Sequence, residues 1–230
     1  KLMTKADSLY KLGKKYQLAF KGDEALPPLE EALAIYRDLN KAKKIGYTLN
    51  RIARVHAEVY GDWPNAEQFW LETLKVRKSL GDKRGIAWVN RFLGITTGQM
   101  GKYQLADSYY ERSLAYFESV HDTVNTYRIL SGRGLLNLRQ DKLNSAESDF
   151  KSALELGGTD TNLRAPVINN LGLLAYRRGT YGEAHEYYNR SLTDFGTGIS
   201  TNDKAAILNN LGTILKAYGD TVSARIHYVK

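Results

Sequence analysis

Leu93-Gly94-Ile95-Thr96-Thr97-Gly98-Gln99-Met100-Gly101-Lys102-Tyr103-Gln104-Leu105-Ala106-Asp107-Ser108-Tyr109-Tyr110-Glu111-Arg112-Ser113-Leu114 is one copy of a pattern that recurs along the chain. Its alanine, Ala106, has counterparts at Ala25, Ala66, Ala146, Ala184 and Ala224, with successive spacings of 41, 40, 40, 38 and 40 residues. Twelve residues before the alanine stands a glycine in five copies: Gly13, Gly94, Gly134, Gly172 and Gly212. In the second copy Ala53 fills this slot, one residue further back. Eight residues after the alanine stands a leucine: Leu33, Leu74, Leu114, Leu154 and Leu192. A fixed period with fixed internal spacings means stacked copies of one small unit. Function then belongs to a surface built by several units.

Within the quoted copy, residues 86–95 carry apolar side chains at helical spacing, and the pattern breaks at Gly98 and Gly101. Tyr103, Ala106, Tyr110, Leu114 and Phe117 then fall three or four apart, on one helix face. Each unit is therefore a helical hairpin, and no stretch alternates long enough for a strand. A glycine inside a helix costs about 1 kcal/mol against alanine. Its recurrence implies close helix crossing, with a large knob four residues after the alanine: Leu29, Trp70, Tyr110, Phe150 and Tyr188. A second set of small residues lies seven after the alanine (Ala32, Thr73, Ser113, Ala153, Ser191) and is expected to receive the next unit's first helix. Gly61, Gly101, Gly179 and Gly219 suit a left-handed helix stop within the hairpins, with Asp141 and Phe20 in that slot in two units. Between units, Asp82, Asp122, Asp160 and Asp203 stand where helix N-caps are expected.

These positions resemble the tetratricopeptide repeat: Leu93-Gly94, Gly101, Tyr103, Ala106 and Ser113, and again Leu171-Gly172, Gly179, Tyr181, Ala184 and Ser191. The period near forty is similar to the subgroup in kinesin light chains, Pins-type spindle adaptors and bacterial signalling proteins. The resemblance implies an all-α, right-handed superhelical solenoid whose first helices line a concave groove. It covers residues 1–230 as a single array, with repeats at about 5–40, 43–80, 83–120, 123–157, 161–196 and 202–230. The chain departs from the family in lacking its frequent proline at the end of each second helix. Pro27-Pro28 falls inside the first unit's second helix and is expected to distort its first turn.

On such a groove the side chains flanking the small residue should point inward. They are basic or aromatic in the first four units: Lys11 and Lys14, Arg51 and Arg54, Trp88 and Arg91, and Arg128. They are amides in the last two, Asn169-Asn170 and Asn209-Asn210, with Asn50 of the same kind. An amide row offers donors and acceptors to an extended peptide backbone, and arginine adds forked bonds to carboxylates. Paired Asn here resembles the peptide-binding kinesin-light-chain type. A chaperone-type carboxylate clamp is not matched, because Tyr10 stands where its first lysine is expected. The competing reading has the amides fixing helix register and the arginines paired with neighbouring carboxylates.

The net charge of +8 is uneven: residues 1–115 carry 20 Lys/Arg against 13 Asp/Glu, and residues 116–230 carry 13 against 12. The basic bias predicts attraction to an acidic partner. Nucleic acid is disfavoured, since no dense basic run exceeds Lys41–Lys44 and the tyrosines fall at knob positions. The chain has no cysteine, and His56, His121, His185 and His227 fall in different units without metal-ligand spacing. Gly157-Gly158 and Gly196-Thr197-Gly198 lack the ending of a phosphate loop. No cofactor, metal or catalytic constellation is indicated, and no run of 18 apolar residues exists to span a membrane. The compartment stays open, with the cytoplasm favoured and the periplasm available to a chain that has lost a leader. The oligomeric state is not specified, and the chain reads as a piece of something longer. The expected function is a scaffold that binds an extended or helical, acidic peptide segment. The alternative is a sensory or regulatory arm of a larger signalling protein, such as a histidine kinase or a caspase-like protease.

Overall fold

Apolar residues three and four apart fold here, as expected, into helices alone among the described residues, 1–196 and 200–217 of a computed structural model. Ala224, Gly219, His227, Thr197 and Gly198 lie outside the described residues. The chain divides into two compact units, Lys1–His121 and Asp122–Lys230. The first holds three hairpins: α1 (Leu2–Leu18) with α2 (Gly22–Asp38), α3 (Ala42–Arg54) with α4 (Trp63–Ser79), and α5 (Lys83–Gln99) with α6 (Tyr103–Ser119). The second holds α7 (Thr123–Arg139) with α8 (Leu143–Gly157), α9 (Thr161–Arg177) with α10 (Tyr181–Phe195), and then α11 (Thr201–Ala217). Within each unit the second helix of one hairpin packs on the first helix of the next: α2 on α3, α4 on α5, α8 on α9 and α10 on α11.

The close crossings fall where the spacing puts them. A Cβ on Gly13 would lie 2.5 Å from Leu29 Cγ, on Gly94 3.1 Å from the Tyr110 ring, on Gly134 2.5 Å from Phe150 Cε1 and on Gly172 2.7 Å from Tyr188 Cε1. Each glycine thus faces the knob of its own hairpin. Burying one such side chain is worth roughly 1.5–3 kcal/mol, which exceeds the helix-propensity cost of the glycine opposite it. In the second hairpin Ala53, Ala66 and Trp70 form the corresponding contact, joined by Val89 and Leu93 of α5.

The left-handed stops also appear in register: Gly61, Gly101 and Gly179 have φ of +64°, +75° and +77°, and the non-glycine substitutes Phe20 and Asp141 have +55° and +58°. Asp82, Asp122 and Asp160 cap their helices by accepting from the backbone N–H of Gly85, Asn125 and Asn162. Asp203 does not cap. It lies in the first turn of α11, and its own N–H donates to the Ser200 hydroxyl at 3.1 Å. Serine accepts as well as aspartate does in this role.

One other expectation is corrected. Helix α2 runs unbroken through Pro27 and Pro28. The carbonyls of Asp23 and Glu24, which lose their i+4 donors, belong to exposed residues where water can replace them. Ser113 and Ser191, of the small set seven after the alanine, bond to the first helix of their own hairpin. Their buried hydroxyls donate to the Ala87 and Ala165 carbonyls, each at 2.7 Å.

One segment is not helical in the ordinary sense. Val55–Tyr60, between α3 and α4, is a π-helix, and the Asp62 N–H reaches back to the His56 carbonyl at 2.8 Å. A π turn accommodates one extra residue in a helix. The second copy has that residue: Ala53 stands 13 before Ala66, where the other copies have 12. His56 stacks on Phe69 with ring centroids 5.3 Å apart and approaches Asp62 Oδ2 at 3.2 Å. The Asn65 side chain and, after it, His56 hold the Asp62 carboxyl below the usual carboxylate range.

Candidate functional site

Three successive first helices of the Lys1–His121 unit enclose a cavity of about 420 Å³. Tyr10 comes from α1, Tyr47, Asn50 and Arg51 from α3, and Arg84, Gly85 and Trp88 from α5, with Asp82 at the turn and Arg77 from α4. It opens to solvent. Period-3.6 geometry explains the choice: residues 47, 50 and 51 share one face of α3, and residues 84, 85 and 88 share one face of α5.

Arg77 reaches this cavity from a second helix, passing Gly46 at ordinary contact distance and Gly85 where a side chain would crowd it. A Cβ on Gly46 would lie 3.6 Å from Arg77 Nε, and one on Gly85 would lie 2.8 Å from Arg77 Cδ. The guanidinium stacks over Tyr47, 4.6 Å from the ring centroid, and its Nη1 donates to Asp82 Oδ2 at 2.7 Å. Its Nε is buried with no hydrogen-bond partner among the described residues. Asp82 serves two purposes, since its other oxygen caps α5. Trp88 lies against Phe92 and Trp70, which stack on each other with centroids 4.8 Å apart.

A polar cluster fixes α1 against its neighbours one turn before Tyr10. Asp7 accepts from the Tyr36 hydroxyl at 2.6 Å and from Lys44 Nζ at 2.8 Å. The Lys44 ammonium, then Tyr36, hold the Asp7 carboxyl below its usual range. Burial, then the Asp7 carboxylate, push the Tyr36 phenol well above its usual value.

Of the residues expected to carry binding, the cavity gathers Asn50, Arg51 and Trp88. Lys11 and Lys14 are exposed on α1 and do not line it. Arg54 is held by Glu58, its Nε at 2.8 Å from Oε1, and Arg91 lies over the Phe92 ring at 4.3 Å. Arg51 itself donates to the buried Gln17 amide at 2.8 Å, and Gln17 in turn donates to Glu58. In the Asp122–Lys230 unit, Arg128 and Asn209 are exposed and Asn170 is half-buried. Asn210 and Asn169 meet each other, Nδ2 to Oδ1, at 3.5 Å. Tyr47 and Arg84 were within reach of the sequence, one helical turn before the expected face. Arg77, from a second helix, had no signal in the repeat spacing.

Among the described residues no helix is long and apolar enough to cross a membrane, and no cluster of acidic or imidazole side chains could hold a metal ion. A family model described as tetratricopeptide repeat matches residues 44–119 and 122–195. No curated protein sequence matches the chain. Among solved structures the chain is similar to BtubC (BKLC) from P. vanneervenii, at 20% identity, covering 99% of this chain and 88% of that one, with a TM-score of 0.68. It is similar to the apo form of RapI at 16% identity, covering 99% and 81%, with a TM-score of 0.78. It is also similar to NprR in complex with its cognate peptide NprX, at 14% identity, covering 96% and 64%, with a TM-score of 0.75. At these identities the likeness speaks for the fold.

Proposed function

The chain belongs to the tetratricopeptide-repeat family, and on that premise we propose that it is a protein-interaction module holding an acidic, extended or helical segment of a partner. The observation that carries this reading is the cavity in which two successive first helices, α3 and α5, bring Asn50, Arg51 and Trp88 together. A guest carboxylate meets the forked donors of arginine there, and an apolar guest side chain meets Trp88. The amides of Asn169, Asn170, Asn209 and Asn210 are the candidate backbone contacts further along the chain. Lys11, Lys14, Arg54, Arg91 and Arg128 contribute field rather than contact in this proposal. The single array over residues 1–230 belongs to the same reading, supported by the unbroken spacing from Ala106 to Ala146. So does the absence of catalysis, and so does protein rather than nucleic acid as partner.

The complex of NprR with NprX supports a peptide as guest, since that protein has a similar fold. A second reading, a regulatory arm of a larger signalling protein, draws on the 64% of NprR that the match covers. The test is an array of immobilised acidic and basic 12-residue segments probed with the 230-residue chain. Acidic segments should be retained selectively, and Arg51→Glu or Trp88→Ala should weaken retention at least tenfold with the circular dichroism unchanged. Arg54→Glu should cost less than threefold. Equal retention of acidic and basic segments would remove the proposal.

A further inference from the structure

The repeat does not call for an amide at Gln17. Four residues after the small residue of their first helices, the next four units place Ala57, Gly98, Leu138 and Tyr176. Gln17 is nonetheless 2% exposed. Taking an amide out of water is costly unless both of its ends are hydrogen-bonded. Both are, and both partners are charged. Oε1 accepts from Arg51 Nη1 at 2.8 Å, and Nε2 donates to Glu58 Oε2 at 3.2 Å. A donor on one side and an acceptor on the other fix which way the amide points. A flipped amide would set its NH₂ against a guanidinium and its oxygen against a carboxylate.

This arrangement holds two opposite charges apart. Glu58 stands on the π-helix, and its other oxygen, Oε1, accepts from Arg54 Nε at 2.8 Å. Arg51 lines the cavity, and its hydrogen bond goes to a neutral group. A guanidinium paired directly with a carboxylate of its own chain has less attraction left for one on a guest, and that attraction weakens with distance. Asp82 shows the contrast in the same cavity, since it takes the Arg77 guanidinium directly. With Gln17 in between, Glu58 anchors the amide and the amide aims Arg51.

We propose that Gln17 is a positioning residue that sets the preference for acidic guests: it holds the Arg51 guanidinium at the cavity wall and keeps the Glu58 carboxylate from pairing with it. The inference rests on the reading of the cavity as a site for acidic segments. Gln17 lies on α1 outside the cavity lining, so it acts through Arg51 rather than on the guest. A charge-neutral exchange isolates this role. Gln17→Glu combined with Glu58→Gln keeps the net charge, the side-chain lengths and a donor or acceptor at every junction. It moves the carboxylate from the Arg54 side of the network to the Arg51 side.

The measurement is retention of the acidic and basic 12-residue segments by the 230-residue chain and its variants. The exchange should weaken retention of acidic segments at least tenfold and erase their preference over basic ones, with the circular dichroism unchanged. Gln17→Met removes both hydrogen bonds without moving a charge. It should cost at least threefold while leaving acidic segments preferred. A glutamine that merely packs would lower the urea midpoint in Gln17→Met and leave the acidic-to-basic ratio of the exchange variant at the wild-type value. An unchanged ratio in that variant overturns the proposal. So does undiminished retention in Gln17→Met, which decides the matter if the exchange variant fails to fold. If wild type shows no preference for acidic segments, the groove reading fails and this role fails with it. If wild type shows the preference, Arg51→Glu removes it and the exchange keeps it, the groove reading stands and the role of Gln17 falls.

Discussion

Gly134 shows how a single missing side chain organises a hairpin. An added Cβ would meet Phe150 at 2.5 and 2.7 Å, and that ring is fully buried, with little room to retreat. Gly134→Ala gains about 1 kcal/mol of helix propensity but forces an overpacked crossing that costs about 1–3 kcal/mol. The net expectation is destabilisation in urea, relieved by pairing the change with Phe150→Leu. Gly94→Ala, where the nearest atoms of Tyr110 stand at 3.1 Å, should be milder. A larger loss at Gly94 than at Gly134 would contradict this account. These pairs were legible because glycine and knob keep constant offsets from the repeated alanine. Arg77 was not, because it comes from a second helix and packs past Gly85 of α5, and no single-helix period connects the two. The spacing placed Asn50, Arg51 and Trp88 where the cavity lies, while the Arg54–Glu58 contact, made one turn on, depends on side-chain pairing that the spacing does not carry.

The elements record small irregularities of the repeat faithfully. The one-residue excess between Ala53 and Ala66 is the sequence trace of the π-helix at Val55–Tyr60, readable as an insertion but not as a shape. An inserted residue absorbed in a wide turn can be removed with less harm than one from a regular helix. Deleting Ala57 should leave a cooperatively folded chain with near-native far-UV circular dichroism. Deleting Thr96 from α5 rotates the rest of that helix by about 100° and should lower the urea midpoint far more. Comparable losses from the two deletions would argue against an absorbed insertion. The join of α1 to α2 and α3 has its own signature in pH. Asp7 has a folded-state carboxyl pKa below the ordinary 3.8, chiefly through Lys44. A depressed acid stabilises the fold fully above its unfolded value, and that stabilisation disappears as pH falls through the folded one. Wild type should therefore exceed Asp7→Asn in stability above about pH 4, with the gap closing in more acidic solution, as followed by urea midpoints across a pH series.

At the scale of the molecule, each unit carries its own core. Leu29, Leu49 and Ile52 are fully buried in one cluster of the Lys1–His121 unit, and Tyr188, Ile207 and Leu211 are buried in another of the Asp122–Lys230 unit. In repeat proteins, stability is approximately a sum of local terms and nearest-neighbour interfaces, so damage should stay near where it is made. Gly172→Ala is the sharper probe of this, because its Cβ would meet the buried Tyr188 ring at 2.7 Å while changing no surface charge. In native-state hydrogen exchange, α9 and α10 should lose protection in this variant. The amides of α1, α2 and α3 should exchange as in wild type. If protection fell equally throughout, the two units would form one cooperative block, and changes made in one could not be assigned to it. Local loss would license the assignment of binding defects in Arg51 and Trp88 variants to the cavity of the first unit, where the chain also concentrates its positive charge.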